Sequence, residues 1–354
     1  MISNEQVLKA LSHVDDPDLK KDLVTLGMIE NLQIDESIRF DLVLTTPACP
    51  MKDMMVNACK NAIRLMVDAA IPVEIHTTSR VSTTRTPDEV LRGVKNIIAV
   101  ASGKGGVGKS TVSAGLALAL QQMGAAVGLL DADIYGPSIP TIFGVHESPE
   151  MKTIDGRQVM IPIEKFGIRL LSIGFMTPPE QAIVWRGPMI ASAFRQFVND
   201  TDWGDLDYLI IDLPPGTGDV QLSLAQIVPL TGLVIVTTPQ EVAIADARRA
   251  VSMFRIPAIS KPILGVVENM AWFEPPDMPG KKYFIFGEGG GKRLAEEQQV
   301  PYLGALPLTE SVRVRADKGS WDATAPDFQP FMVLAAEVAR QVSIENSHKS
   351  AKFV

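Results

Sequence analysis

The apolar and polar positions change rhythm near residue 95. Beyond it, short apolar runs alternate with helical patterns, and each run ends on polar punctuation. Ile97–Ala101 runs into a glycine loop, and Ser110–Met123 follows as a helix. Ala126–Leu130 ends at Asp131, and Tyr208–Ile211 ends at Asp212. Leu233–Thr237 ends at Thr238-Pro239, and Ile263–Val267 ends at Glu268-Asn269. Short buried strands alternating with helices predict an α/β fold, a mainly parallel sheet with helices on both faces. Such sheets bind ligands at the carboxyl ends of their strands. The polar punctuation falls there.

The first 77 residues read differently. Glu5–Leu11 predicts a helix, and Ile38–Leu44 alternates like a strand. A turn at Thr45–Pro50 precedes a helical pattern from Met51 to Asp68, and Val73–Thr77 is a further strand. This is a small α+β domain over residues 1–77. Residues 78–94 are the linker, since Thr77–Asp88 is polar and threonine-rich. The larger domain runs over 95–343, and 344–354 is a polar, frayed tail.

Composition narrows the function classes. Of 354 residues 46% are hydrophobic and 21% charged, enough apolar material for a core and too much for a disordered chain. The net charge of −8 argues against non-specific nucleic-acid binding or an anionic membrane as partner. No signal-like or membrane-spanning run is visible, which makes the cytoplasm the expected location. Only Cys49 and Cys59 are present, so neither a disulfide framework nor a four-cysteine metal site forms within one chain.

The glycine loop carries the most specific chemistry. Gly103-Lys104-Gly105-Gly106-Val107-Gly108-Lys109-Ser110 fits G-x-x-x-x-G-K-[ST], between a predicted strand and a predicted helix. Glycines let successive N–H groups turn inward around phosphate oxygens, and the helix offers the same anion its positive end. The motif implies that Lys109 reaches the β and γ phosphates of ATP, that Ser110 ligates Mg²⁺, and that Thr111 follows in the helix's first turn. Lys104 is extra to a plain loop of this kind. On its own it reads as a solvated lysine.

Carboxylates close two of the strands. Asp131 and Asp133 share one side of an extended segment, where one can serve a Mg²⁺ shell and the other can position water. Asp212 ends an apolar strand and opens Leu213-Pro214-Pro215-Gly216-Thr217-Gly218, as a Mg²⁺-binding carboxylate does in such NTPases. Both segments also suit ordinary turns.

Together these segments resemble the deviant Walker A ATPases of the MinD/ParA/nitrogenase-iron-protein superfamily, whose signature is the lysine after the first glycine in GKGGVGKS. More narrowly, DADIYGPSIP, VWRGPM, DLPPGTGDVQLSL, VVENMAWF and IFGEGGGKRLAEE look like the Mrp (ApbC-like) family of iron–sulfur cluster carrier ATPases. DPDLKKDLVTLGMI and LTTPACPMKDMM resemble the small iron–sulfur-assembly-type domain that precedes the ATPase in bacterial members. The resemblance implies a P-loop NTPase fold and a homodimer that sandwiches nucleotide. In it Lys104 crosses to the partner's phosphates, Asp133 orients attacking water, and Asn269 contacts adenine. It further implies ATP hydrolysis and transfer of a [4Fe–4S] cluster from scaffold proteins to apoproteins.

The chain departs from that family at one place. Carriers hold C-x-x-C just after the Glu-Asn-Met segment, and here Phe273-Glu274-Pro275-Pro276-Asp277-Met278-Pro279-Gly280 has no cysteine. Carboxylates are hard ligands that replace thiolates poorly on a cluster. Cys49, in a turn opening a helix, is the remaining thiol for a ligating role, with a pKa lowered by the helix N-terminus. Cys59 lies within that helix and reads as core. The expected function is an ATP-hydrolysing cluster carrier. The alternatives are a cluster-free ATP-driven adaptor in the same assembly process and a positioning or partition ATPase. Glu288-Gly289-Gly290-Gly291-Lys292 lacks the Gly-Lys-Ser ending and reads as a helix N-terminus entering Arg293–Gln298.

Overall fold

Two compact units account for the chain in the computed structural model, Met1–Thr84 with Ala339–Val354, and Arg85–Val338. The structure describes residues 2–86, 90–134, 136–154, 156–176, 187–275, 277–278 and 280–350. Tyr135, Val184-Trp185-Arg186, Pro276, Pro279, part of the proposed linker and the last four residues lie outside them.

The first unit opens with α1 (Asn4–Leu11), held at its start by a reciprocal capping box between Ser3 and Gln6. The short pair β1 (Asp15–Asp16) and β2 (Lys21–Asp22) follows. Then come β3 (Ile29–Ile34), β4 (Ile38–Leu44), α2 (Lys52–Met66) and β5 (Val73–Ser79). β4 is central, antiparallel to β3 and parallel to β5. Its inward residues Ile38, Phe40 and Leu42 pack with Val7 and Leu11 of α1 and with Met55, Cys59 and Ile63 of α2. Helix spacing of those α2 positions puts them on one face, which explains why the helical pattern was legible.

The second unit contains, in order, β6 (Val94–Ala101), α3 (Lys109–Gln122), β7 (Val127–Asp131), α4 (Ile139–Phe143), β8 (Glu150–Ile154), β9 (Arg157–Ile161), β10 (Ile163–Lys165) and β11 (Ile168–Ser172). It continues with α5 (Gly187–Asn199), β12 (Leu206–Asp212), α6 (Asp219–Ile227), β13 (Gly232–Thr237), α7 (Glu241–Phe254), β14 (Ile263–Glu268), α8 (Gly290–Gln298), β15 (Tyr302–Ala305) and α9 (Glu310–Lys318). Eight strands form one sheet in the order β10-β11-β7-β12-β6-β13-β14-β15. All neighbours are parallel except β10 and β11. Burial on both sides explains the unbroken apolar runs, since β13 is buried at every position. The expected α/β fold with a preceding small α+β unit is present. The hairpin β8–β9 and the antiparallel edge strand β10 had no counterpart in the sequence reading.

Where a polar tail was expected from 344, α10 runs unbroken over Gln329–Ser350. Its polar residues are tied down. Ser343 and Asn346 are buried, and Asn346 Nδ2 donates to the Ser82 carbonyl at 2.9 Å. Arg340 pairs with Asp18 at 2.7 Å. Side chains that make such bonds can be polar and still buried, and polarity alone hid this helix. Among the described residues no helix is long and apolar enough to cross a membrane.

Candidate functional site

The glycine loop leaves β6 and enters α3 directly. Gly108 is the residue before the helix and sits at φ +79, a left-handed conformation that side chains rarely adopt. Space forbids a side chain there as well, because a Cβ would strike the Asn269 amide. Asn269 is buried and its Nδ2 donates to the Val107 carbonyl at 2.8 Å. It therefore props the loop's backbone from the end of β14. Lys104 is half-buried within the same loop.

Lys109 turns back beneath the loop onto the sheet. Its Nζ lies 2.8 Å from Asp212 Oδ2 and 3.7 Å from Asp133 Oδ2. Ser110 Oγ donates to the same Asp212 Oδ2 at 2.6 Å, and Ser113 Oγ donates to Oδ1 at 2.6 Å. Thr111 occupies the next position of α3. Lys109, Asp131, Asp133 and Asp212 are all buried. Buried charges persist only when paired and hydrogen-bonded, and this set is.

Sheet register explains the meeting. Asp212 stands beside Asp131 across β12 and β7, and Asp131 stands beside Ser172 across β7 and β11. The Asp131 carboxylate accepts the Asp133 N–H and the Ile139 N–H, each at 3.1 Å, and the Ser172 hydroxyl at 3.0 Å. Burial, then the charge of Asp212, pushes the Asp131 carboxyl up to about 7, against the pull of Lys109. Asp133 follows two residues later and accepts the Gly136 N–H at 3.3 Å.

The loop after Asp212 is pinned as well. Gly216 N–H donates to the Ser102 carbonyl at 3.0 Å. Gln221 of α6, buried, donates its amide to the Pro214 carbonyl. Sequence reasoning missed Ser113, Ser172 and Gln221. Their signal is not local, since each matters only because strand order and helix packing bring it to the carboxylates or the loop.

Hard oxygen donors suit Mg²⁺, and Ser110 Oγ with the Asp212 carboxylate offers them side by side. Asp131 is wholly buried like Asp212, and its carboxylate also accepts three hydrogen bonds from within the fold.

The second glycine loop has a different fate. Glu268 at the end of β14 directs its carboxylate into the start of α8, where the Gly289 N–H donates at 3.3 Å and the Gly291 N–H donates to the other oxygen. The chain supplies its own anion to that helix end.

Cys49 stands apart in the first unit. It is half-buried and precedes α2, whose first residue is Lys52. The expected lowering of its pKa is overturned. Burial raises the thiol, helped by Asp16 and Asp18, and outweighs the Met51 and Lys52 backbone N–H groups that favour thiolate. Cys59 is buried and pushed up to about 12. Among the described residues no group of three or more His, Cys, Asp or Glu side chains is arranged to hold a metal ion.

Comparison with known proteins follows this division. Residues 93–343 match the family model described as ParA, NUBPL iron-transfer P-loop NTPase. Residues 4–75 match the model for iron-sulfur cluster assembly protein. The chain is 48% identical over 346 residues to an iron-sulfur cluster carrier protein of Deinococcus radiodurans, covering 96% of each chain. The chain belongs to this family of iron–sulfur P-loop NTPases. A Synechocystis protein, also named iron-sulfur cluster carrier protein, is 47% identical over 323 residues, 90% of this chain and 91% of its own length. Among solved structures, a nucleotide-binding protein from Archaeoglobus fulgidus in complex with ADP superposes with a TM-score of 0.58 at 39% identity, over 68% of this chain and 93% of the other. The cell division ATPase MinD of Pyrococcus furiosus shares the fold, at a TM-score of 0.51 and 20% identity over 69% of this chain and 98% of its own. The nucleotide-binding character expected from the glycine loop is thus a property of the family.

Proposed function

We propose that this protein is an ATP-hydrolysing iron–sulfur cluster carrier. The observation that supports it most is the convergence of Lys109, Ser110, Asp133 and Asp212 beneath a glycine loop, in a chain whose relatives are named cluster carriers. In this reading the inward N–H groups of Gly103–Ser110 hold the phosphates, and Lys109 exchanges part of its pairing with Asp212 for β and γ oxygens. Ser110 and Asp212 would hold Mg²⁺, which neutralises developing charge on the phosphates. Asp133 orients the attacking water, accepting a hydrogen bond from it near Lys109. Asn269, whose amide props the Val107 carbonyl, contacts the adenine. The chain acts as a homodimer in which Lys104 reaches the partner's phosphates. Scaffold proteins supply the cluster and apoproteins receive it, in the cytoplasm.

The cluster itself is cargo, and its ligands are the weakest match. No cysteine lies between Phe273 and Gly280, and Cys59 is buried. Cys49 is then the thiol of each protomer that meets a cluster, held loosely and passed on. The same observation favours a second reading, an ATP-driven adaptor that carries no cluster. Anaerobic reconstitution with iron and sulfide, followed by visible absorbance and transfer to an apo-ferredoxin, separates the two. The carrier reading predicts substoichiometric uptake that Cys49→Ser abolishes and Cys59→Ser leaves intact. No uptake by the wild-type chain, with or without ATP, replaces it with the adaptor.

A further inference from the structure

Three neighbouring strands end level with one another, and their last residues are all polar. Ser172 closes β11, Asp131 closes β7 and Asp212 closes β12. Ser172 is wholly buried, and its hydroxyl makes two hydrogen bonds. Its hydroxyl donates to Asp131 Oδ2 at 3.0 Å and accepts the Gly174 N–H at 3.0 Å. The same Asp131 oxygen accepts the N–H of Ile139, the first residue of α4, and the other oxygen accepts the N–H of Asp133. One carboxylate thus holds both ends of the loop that carries Asp133. Pro137 of that loop is packed close to Gly174, where a Cβ would stand 2.9 Å from the proline's Cβ.

We propose that Ser172 is a positioning residue for ATP hydrolysis, acting through Asp131 to fix Asp133. The inference rests on the reading of Asp133 as the group that orients water. A buried carboxylate that loses one of three donors turns toward those that remain. Its grip on the Asp133 N–H then changes, and the Asp133 side chain shifts with its backbone. Water-orienting groups tolerate little displacement, because a misplacement of about 1 Å can cost about a hundredfold in rate. Phosphate binding depends on the glycine loop and Lys109, which Ser172 does not support, so affinity is spared.

The test is steady-state phosphate release and ATP binding on the full chain, for wild type, Ser172→Ala, Asp133→Asn and the double variant. Ser172→Ala should lower kcat by about tenfold while KM for ATP stays within about twofold. In the Asp133→Asn background the same substitution should lower kcat by less than about twofold, because the group it positions is already gone. Ser172→Cys, close in shape with a weak donor, should fall between serine and alanine. It carries the same comparison if the alanine variant does not fold. Wild-type kcat in Ser172→Ala beside a slow Asp133→Asn overturns the inference. So does an equal loss in both backgrounds, which would place the effect elsewhere. Asp133→Asn turning over at the wild-type rate would instead overturn the reading of Asp133 on which the inference stands.

Discussion

Two glycine-rich loops feed helices in the larger unit, and they come to opposite ends. Gly103–Ser110 enters α3 with Lys109 turned beneath it and three carboxylates gathered from strand ends. Gly287–Lys292 enters α8 with Glu268 already bonded to the Gly289 and Gly291 N–H groups. Both helix starts carry N–H groups that have no acceptor within the helix itself, and a positive end. What separates them is whether the chain itself supplies the anion. In the reading proposed above, the N–H groups of the first loop serve a phosphate with Lys109 standing by. In the second, a carboxylate from the preceding strand, β14, takes that place. β14 serves both, since Glu268 caps α8 and the adjacent Asn269 props the Val107 carbonyl.

The largest effect should come from the first loop. Lys109→Ala removes a charge-assisted contact to phosphate of about 1.5–3 kcal/mol, so ATP affinity by isothermal titration should drop at least about tenfold. Unchanged affinity would erase the distinction between the loops. The second loop should respond in stability. Glu268→Ala leaves the buried Gly291 N–H and the half-buried Gly289 N–H at the α8 start without their acceptor, at a cost of about 1–3 kcal/mol in urea unfolding. A variant as stable as wild type would show that the cap contributes nothing.

A smaller effect contrasts these anion-handling regions with the thiol of the first unit. Burial raises Cys49 above its ordinary value of 9.0, with Asp16 and Asp18 adding to the shift. For an acid with a raised pKa the thiolate fraction is small near neutrality and grows as pH rises through that value. Alkylation of Cys49 by iodoacetamide should therefore keep accelerating through about pH 9, with Cys59 slower throughout. A plateau below about pH 8 would mean a helix-activated thiolate instead.

The glycine loop, Asp131, Asp133 and Asp212 were legible because their spacing and their place after apolar runs are local properties of the chain. The α/β fold was legible for the same reason, since parallel interior strands such as β12 and β13 are apolar throughout. Ser172 was not, because nothing in Ile168–Ser172 announces that β11 will lie beside β7 with Ser172 level with Asp131. Ser113 and Gln221 are hidden in the same way. Ser113 reads as one more position of an alanine-rich helix until packing brings it 2.6 Å from Asp212. The α10 extension was misread because Ser343 and Asn346 are polar yet buried. The Cys49 shift was misjudged because helix ends are visible in sequence and desolvation is not.

The central question for the site is whether the buried carboxylates perform chemistry or only hold the loops. Phosphate release from Mg-ATP, measured for wild type and Asp133→Asn on samples whose ATP affinity is titrated in parallel, decides it. Wild type should turn over, and the variant should bind ATP within about twofold of wild type while releasing phosphate at least about tenfold more slowly. Equal turnover in the two proteins would contradict the assignment of Asp133 and leave the site a nucleotide-binding scaffold.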